Sequence, residues 1–412
     1  MKSGAVAEWR GYWTLAIAAA IGNSSTVILT YSMSAFMQPL EDAFGWSRAQ
    51  ISLGMTFSGA VSATMGILVG MLIDRVGPRR IGLAGIFIAC SACALLGTAT
   101  GSLANWFLLW CLIGVGGAWV KPTIWTSAVA SRFDASRGLA IAVVVSGSGV
   151  AATIIPPLTT WSIDDFGWRT AFLIIGGLWA GVGIPMLFLF FRGAQDSRSA
   201  ADRASGKPAG DTMPGLTFAQ GIRAPAFYKI GIAGGLFAFA VIGLIIHFIP
   251  VLQDLGISRM GAAGIAGLVG VSSVAGRLGT GFLLDRFRPE RIAMIAFLLP
   301  VVSAMLLLNT TSIFSLSVAA LIVGLSLGSE LDVVLYLATR HLGLRRFGVL
   351  FALMLIFLAL GNALGPVYAG AIYDHFRGYQ WFLWTMIPFV ATGALLMGSL
   401  GPAPVHEAAQ EG

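Results

Sequence analysis

Four ionisable side chains lie inside long apolar runs of this 412-residue chain: Lys121, Arg277, Glu330 and Asp332. A charge in hydrocarbon costs at least about 2.5–3.5 kcal/mol on insertion scales, so such groups face a water-filled cavity or pair with one another. A guanidinium binds a carboxylate through two parallel hydrogen bonds. These residues therefore predict either an internal site for a small anion or an internal network of ion pairs.

Arg277 is the main candidate for binding an anion. It lies eight residues before Asp285, about 12 Å along a helix, and so away from the polar loop that follows. Ser273 and two glycines share its helix face and leave room for a ligand beside the guanidinium. The alternative is a structural ion pair between Arg277 and either Asp332 or Glu330.

Glu330 and Asp332 are candidates for coupling a proton to binding of that anion. They are two residues apart, about 200° around a helix, so they cannot both face the same way. The sequence leaves open which one faces the interior. A purely structural role for the pair is the alternative.

Three further polar residues could line the same path: Asn23 and Tyr31 in the first apolar run, and His247 in the seventh. A single histidine near a span end is more often a packing residue than a proton carrier. We find no His, Cys, Asp or Glu cluster with metal-ligand spacing and no nucleotide-binding loop. The sequence therefore predicts no metal, no cofactor other than a proton as coupling ion, and no enzymatic activity.

The composition indicates that lipid surrounds most of the chain. It is 57% hydrophobic and 10% charged, with mean hydropathy +0.85, whereas soluble domains carry roughly 25% charge. A helix needs about 20 apolar residues to span the hydrocarbon core, and lipid-exposed backbone must be helical or form a closed barrel. The long runs predict an all-α membrane protein with twelve spans: 12–37, 48–73, 81–100, 104–130, 138–161, 168–191, 227–251, 259–284, 291–309, 313–338, 347–373 and 380–400.

The distribution of basic residues predicts the orientation in the membrane. With the N-terminus inside, the cytoplasmic segments hold 19 of the 25 Lys and Arg residues, as the positive-inside rule requires. This places both termini in the cytoplasm and the chain in an inner (plasma) membrane, with the lipid bilayer as its partner. The same bias explains the net charge of +7 without nucleic-acid binding.

A duplicated motif indicates that the chain has two halves. The pattern G-x-x-x-D-R, followed by proline and further arginine, begins at residue 70 and again 211 residues later. Each aspartate could cap the next helix or pair with an arginine, so we hypothesise that the two copies form a gating hinge. Their members are Gly70, Asp74 and Arg75 in the first copy and Gly281, Asp285 and Arg286 in the second.

The repeat predicts two pseudo-symmetric six-helix bundles, 1–191 and 225–412, joined by a polar, flexible cytoplasmic linker at 192–224. Under the same offset Lys121 corresponds to Asp332. A cation and an anion at corresponding points could meet across a central cavity. Protonating the acid or binding an anion would weaken that bridge and couple the two events.

Over its whole length the chain resembles the major facilitator superfamily, through the signature at 70–80, its copy at 281–291, the twelve spans and the central linker. Within it, the chain is most similar to the monocarboxylate transporter branch and its bacterial relatives, which include the oxalate/formate exchangers. Three local matches carry this similarity: Phe44-Gly-Trp46-Ser47-Arg48-Ala-Gln-Ile51; Phe133-x-x-x-Arg137-x-Leu139-Ala140, followed by Gly147; and Gly361-x-x-x-Gly365-Pro366-x-x-x-Gly370-x-Ile-Tyr373-Asp374.

The resemblance implies a secondary transporter that moves a small organic monocarboxylate by alternating access, with proton symport and a monomeric functional unit. It places the family's substrate-binding arginine at Arg277. The carboxylate that the family carries four residues earlier is Ser273 here. The alternative is an exchanger or exporter of another amphipathic organic anion.

Overall fold

Helices form nearly all of the computed structural model, which describes residues 3–194 and 215–404, without the side chains of Ser3, Gly4, Ile67, Asp74 and Arg75. The first half contains α1 (Ser3–Ser24), α2 (Ile28–Phe44), α3 (Arg48–Val76), α4 (Pro78–Leu95), α5 (Leu103–Ala118), α6 (Pro122–Ala130) and α7 (Arg137–Phe190). The second contains α8 (Phe218–Arg223), α9 (Pro225–Asp254), α10 (Arg259–Arg286), α11 (Pro289–Asn309), α12 (Ile313–Leu342), α13 (Phe347–Phe376) and α14 (Gln380–Gly398).

The prediction of an all-helical, multi-span membrane protein is confirmed. In the described chain, 10 helical stretches are long and apolar enough to cross a membrane. One of them, α7, has 54 residues and leaves helical geometry at Gly167 (φ 78°, ψ 159°), so its two arms cover the fifth and sixth predicted spans. The 29-residue α3 covers the second span, and the total is consistent with twelve.

Two of the predicted spans are discontinuous. The first is interrupted at 25–27, where the hydroxyls of Ser24, Ser25 and Thr26 donate to carbonyls three residues earlier at 2.6–2.7 Å. Such side-chain bonds compete with the helical ladder. The fourth is interrupted at 119–121, because Pro122 has no N–H to donate to the preceding turn and instead begins α6.

The chain divides into two compact units. Unit 1 comprises Met1–Trp46 and Gln50–Gly206, and unit 2 comprises Ser47–Ala49 and Lys207–Gly412. The division falls inside the predicted linker, of which residues 195–214 lie outside the described part. Its last residues are ordered: the Leu216 N–H donates to the Leu342 carbonyl at 2.9 Å, and a capping box between Thr217 and Gln220 begins α8.

Close packing in each unit depends on glycines beside large groups. In unit 1 the buried Trp125 ring on α6 packs against Gly22 and Gly82, where added Cβ atoms would lie 2.5 Å and 2.8 Å from ring carbons. In unit 2 a Cβ at Gly361 or Gly365 would lie 2.2 Å or 2.1 Å from a carbonyl oxygen of α9. The small residues spaced four apart therefore let α9 and α13 pack backbone to backbone.

Candidate functional site

An ion pair joins two of the predicted residues inside unit 2. Arg277 on α10 donates from Nη1 to Oδ1 of Asp332 on α12 at 3.0 Å. The two side chains are 21% and 30% exposed, so neither is sealed inside the protein. Of the alternatives left open above, Asp332 and not Glu330 is the arginine's hydrogen-bonded partner.

The helices that carry this pair lie in direct backbone contact. A Cβ at Gly276 would lie 2.1 Å from the carbonyl oxygen of Leu325, and a Cβ at Gly328 would lie 2.0 Å from that of Ser273. Only glycine allows so close an approach. Because Gly276 directly precedes Arg277 and Gly328 lies one turn before Asp332, this contact fixes the relative positions of the guanidinium and the carboxylate.

Polar contacts fix the register of α10 against α12. The hydroxyls of Thr280 and Ser329 form a hydrogen bond of 2.5 Å, one turn of helix from Arg277. Ser273, predicted to bind substrate, donates its hydroxyl to the Gly270 carbonyl at 2.8 Å. Ser273 thus lies one turn of helix from the Arg277 guanidinium, but its hydroxyl proton is donated to a carbonyl of its own helix.

Glu330 occupies a different environment from Asp332. The residue is 9% exposed, and its Oε1 is buried without a hydrogen-bond partner among the described residues. One turn earlier, Ser326 donates to the Ala296 carbonyl of α11 at 2.5 Å, which places this side of α12 toward α11. The two carboxyl groups therefore point in different directions, as their spacing predicted.

In unit 1 the positions that correspond to Arg277 and Asp332 also lie side by side, but they hold different residue types. The offset of 211 residues relates Gly66 to Arg277 and Lys121 to Asp332. A Cβ at Gly66 would lie 2.6 Å from Nζ of Lys121, so these positions meet in unit 1 as well. Here the cation faces a glycine, and within residues 3–194 we find neither an ion pair nor a hydrogen bond to the ammonium.

The candidates of the first span lie at its interruption. Asn23 is 2% exposed, and its Oδ1 has no hydrogen-bond partner in the described part of the chain. Ser24 accepts a hydrogen bond from the Trp179 indole at 2.8 Å. Tyr31 follows on α2 and is partly buried. The break thus leaves a buried amide oxygen free to accept a hydrogen bond.

His247 is fully buried and both of its ring nitrogens are engaged. Nε2 lies 2.9 Å from the Pro366 carbonyl and Nδ1 lies 2.7 Å from the Tyr379 hydroxyl. A carbonyl only accepts, so Nε2 carries the proton and Nδ1 accepts from Tyr379. Burial raises the pKa of the Tyr379 hydroxyl, which keeps this donor protonated. In this arrangement the buried His247 ring positions Tyr379.

Tyr379 belongs to a cluster that the sequence reasoning missed. Arg48, at the start of α3 and within unit 2, donates to the Tyr379 hydroxyl at 2.8 Å and stacks 3.5 Å from the centroid of the Tyr373 ring. Asp374 accepts from the backbone N–H groups of Arg48 and Ala49 at 2.9 Å and 3.0 Å. Arg48 and Asp374 each lie within one of the family-like motifs, and that was the available signal.

The hinge residues have less contact than predicted. Gly70 and Gly281 border open space, and Asp285 is exposed within the last turn of α10. The N-cap position of α11 is Arg288, which makes no side-chain cap, and that of α4 is Gly77. Arg286 lies over the Phe282 ring at 4.0 Å. The side chains of Asp74 and Arg75 lie outside the described residues.

Known proteins share this architecture along nearly its whole length. The rat "Monocarboxylate transporter 13" is 24% identical over 394 residues, covering 94% of this chain and 87% of its own. The "Gallate transporter" of Pseudomonas putida is 27% identical over 285 residues, 62% of each chain. A bacterial homologue of the human lysosomal transporter Spinster, solved in an inward-facing and occupied conformation, has TM-score 0.71 at 18% identity, covering 93% of this chain and 95% of its own.

The family comparison agrees with the helical architecture described above. The sequence profile of the Major Facilitator Superfamily matches residues 15–354 and 279–412. These two matches together cover nearly all of both units. This chain therefore belongs to the major facilitator superfamily of membrane transporters.

Proposed function

We propose that this transporter moves a small organic monocarboxylate together with a proton by alternating access, and that Arg277 binds the carboxylate. The observation that carries this proposal is the partly exposed pair of Arg277 and Asp332. Asp332 engages Arg277 through a single hydrogen bond, and a guanidinium has five donors. Because the guanidinium already binds the Asp332 carboxylate, its position and its remaining donors suit the carboxylate of a substrate.

Asp332 then serves as the proton-coupling group by competing with the substrate for Arg277. While Asp332 is ionised, its carboxylate holds the guanidinium. When a proton neutralises Asp332, the guanidinium becomes available for a bidentate contact with the substrate carboxylate. One proton and one monocarboxylate then move together with no net charge. Glu330, with its buried and unpartnered oxygen, is a second proton-coupling candidate.

Unit 1 contributes the remaining proposed binding groups. The Lys121 ammonium above Gly66 adds a positive charge that favours an anion, and Asn23 and Tyr31 supply polar groups along the broken first span. His247 belongs to this set only through Tyr379, because both of its nitrogens are engaged. The repeated segments at 70–75 and 281–286 remain the proposed gating hinge. The proposed location is an inner membrane with cytoplasmic termini.

The names of the relatives support this substrate class. The rat relative is called a monocarboxylate transporter and the Pseudomonas putida relative a gallate transporter, and gallate is itself a monocarboxylate. Anion exchange or export is the second candidate. The Lys121 ammonium favours it, because an exchanger must bind an anion in both directions and the described part of unit 1 supplies no carboxylate to this cation.

The test is uptake of labelled monocarboxylates into proteoliposomes under an inward proton gradient. Arg277→Ala should abolish uptake while the purified protein stays folded and monodisperse. Arg277→Lys should retain a weakened activity, since it keeps the charge but loses the bidentate geometry. Arg340→Ala, an equal charge change at an exposed position of α12, is the control and should transport normally.

The coupling ion is tested in the same vesicles. A protonophore should collapse accumulation if the proton drives uptake. Undiminished uptake by Arg277→Ala would refute the binding assignment, and counterflow of anions that survives the protonophore would favour exchange.

A further inference from the structure

Two buried hydroxyl groups lie one helical turn from the ion pair of unit 2, and the transport scheme above gives them no role. Thr280 on α10 and Ser329 on α12 are 6% and 3% exposed, and their oxygens are 2.5 Å apart. Thr280 follows Arg277 by three residues, and Ser329 precedes Asp332 by three. The same two helices are therefore bridged twice, by a buried hydroxyl pair and by a partly exposed ion pair.

The direction of the hydroxyl hydrogen bond shows that it joins the two helices. Ser329 donates its single proton to the Leu325 carbonyl of its own helix at 2.8 Å, so Thr280 is the donor of the 2.5 Å bond. A threonine within a helix commonly donates to a carbonyl of the preceding turn. Thr280 instead donates to the neighbouring helix, and polar bonds of this kind hold helices together in a membrane.

The duplicated half shows that the fold does not require these hydroxyls. The offset of 211 residues relates Thr280 to Val69 and Ser329 to Ala118. Val69 and Ala118 are 3% and 1% exposed, so the same positions pack in unit 1 without a hydroxyl. Unit 1 cannot form the ion pair at the corresponding positions, because one of them is Gly66. The hydroxyl pair therefore accompanies the ion pair and not the helix packing.

The two halves also differ in how closely the equivalent helices approach each other. In unit 2 a Cβ at Gly328 would lie 2.0 Å from the Ser273 carbonyl oxygen. In unit 1 a Cβ at the corresponding Gly117 would lie 3.5 Å from the hydroxyl oxygen of the corresponding Ser62, which is an ordinary contact distance. The tighter, hydroxyl-bonded helix pair is thus the one that carries Arg277.

This difference has a consequence for the proposed function, on which the inference rests, because Asp332 must release Arg277 before substrate binds. The ion pair cannot then hold the two helices together. We propose that Thr280 and Ser329 are positioning residues, whose buried hydrogen bond keeps α10 in register with α12 after Asp332 has released Arg277. The guanidinium then stays in place for the substrate carboxylate. If the register slipped, the apparent affinity would fall with the competent fraction of the protein.

The test compares Thr280→Val in two backgrounds by titration calorimetry at neutral pH, with whichever of lactate, benzoate and gallate binds wild type most tightly. In the wild-type background the ion pair still bridges the helices, so the affinity should change less than twofold. In the Asp332→Asn background the affinity should fall about threefold, equivalent to about 0.6 kcal/mol, the average for a hydrogen bond between membrane helices.

Two control variants separate the hydroxyl from the shape of the side chain. Thr280→Ser keeps the donor and should restore the affinity in the Asp332→Asn background. Thr385→Val removes a hydroxyl of α14 that donates to the Phe382 carbonyl of its own helix at 2.9 Å. It should leave the affinity unchanged in both backgrounds.

Hydrogen–deuterium exchange of the purified protein needs no substrate, so it separates failure of this inference from failure of the proposed function. Each single variant should keep the wild-type protection of α10, and the double variant of Thr280→Val with Asp332→Asn should lose it. Carboxylate binding that survives Arg277→Ala would overturn the proposed function, and the exchange result would then decide the positioning role. That role is refuted by wild-type protection in the double variant, by equal loss of protection in Thr280→Val alone, or by equal affinity changes in the two backgrounds.

Discussion

Replacing Asp332 with asparagine tests the proposed competition for Arg277. The change keeps the size of the side chain and removes the charge that accepts the 3.0 Å hydrogen bond. A hydrogen bond to a charged group contributes about 1.5–3 kcal/mol. Because the two side chains are 21% and 30% exposed, we take the lower end, about 1.5 kcal/mol, which corresponds to roughly tenfold in affinity.

Asp332→Asn should therefore bind a monocarboxylate about tenfold more tightly than wild type at neutral pH, measured by titration calorimetry on purified protein. Wild-type affinity should rise as the pH falls, because protonation of Asp332 releases Arg277, whereas the variant should lose most of this pH dependence. In proteoliposomes the variant should no longer accumulate substrate against a gradient. Asp165→Asn, which removes an exposed carboxylate of α7, is the matched control. Weaker binding by Asp332→Asn, or an unchanged pH dependence, would refute the competition.

Three further changes probe the remaining features. Lys121→Gln should weaken carboxylate binding several-fold in the same calorimetry and keep its pH dependence, because Lys121 supplies charge and not the proton. Gly328→Ala should lower the melting temperature, since its Cβ would lie 2.0 Å from the Ser273 carbonyl oxygen and overpacking costs about 1–3 kcal/mol; Gly281→Ala, in open space, should not. Asp374→Asn should cost about 1 kcal/mol, as loss of a helix cap does, in a denaturant titration.

The helical architecture was predictable because each membrane span requires a long, continuous run of apolar residues, which is visible in the sequence. The internal repeat was predictable as well. One sequence offset relates Gly66 to Arg277 and Lys121 to Asp332. Gly66 and Lys121 contact each other in unit 1, as Arg277 and Asp332 do in unit 2. The periodicity of the sequence could not predict which neighbouring helix each charged side chain faces. Spacing alone showed that Glu330 and Asp332 diverge, but contacts between helices were needed to place Asp332 beside Arg277.

The helix breaks and the cluster around Arg48 escaped prediction for a different reason. The break at 25–27 comes from serine and threonine hydroxyls that compete with the backbone, and hydropathy does not register such bonds. Asp374 and Arg48 are 326 residues apart in sequence. Each lies in a recognisable motif, but only the folded chain brings the two motifs together.

The most direct test of the central claim is a structure of the protein bound to a monocarboxylate selected by thermal-shift screening. The account predicts ligand carboxylate oxygens within hydrogen-bonding distance of the Arg277 guanidinium, with the contact from Asp332 lengthened or lost. A ligand bound elsewhere, with the 3.0 Å pair of Arg277 and Asp332 intact, would contradict it.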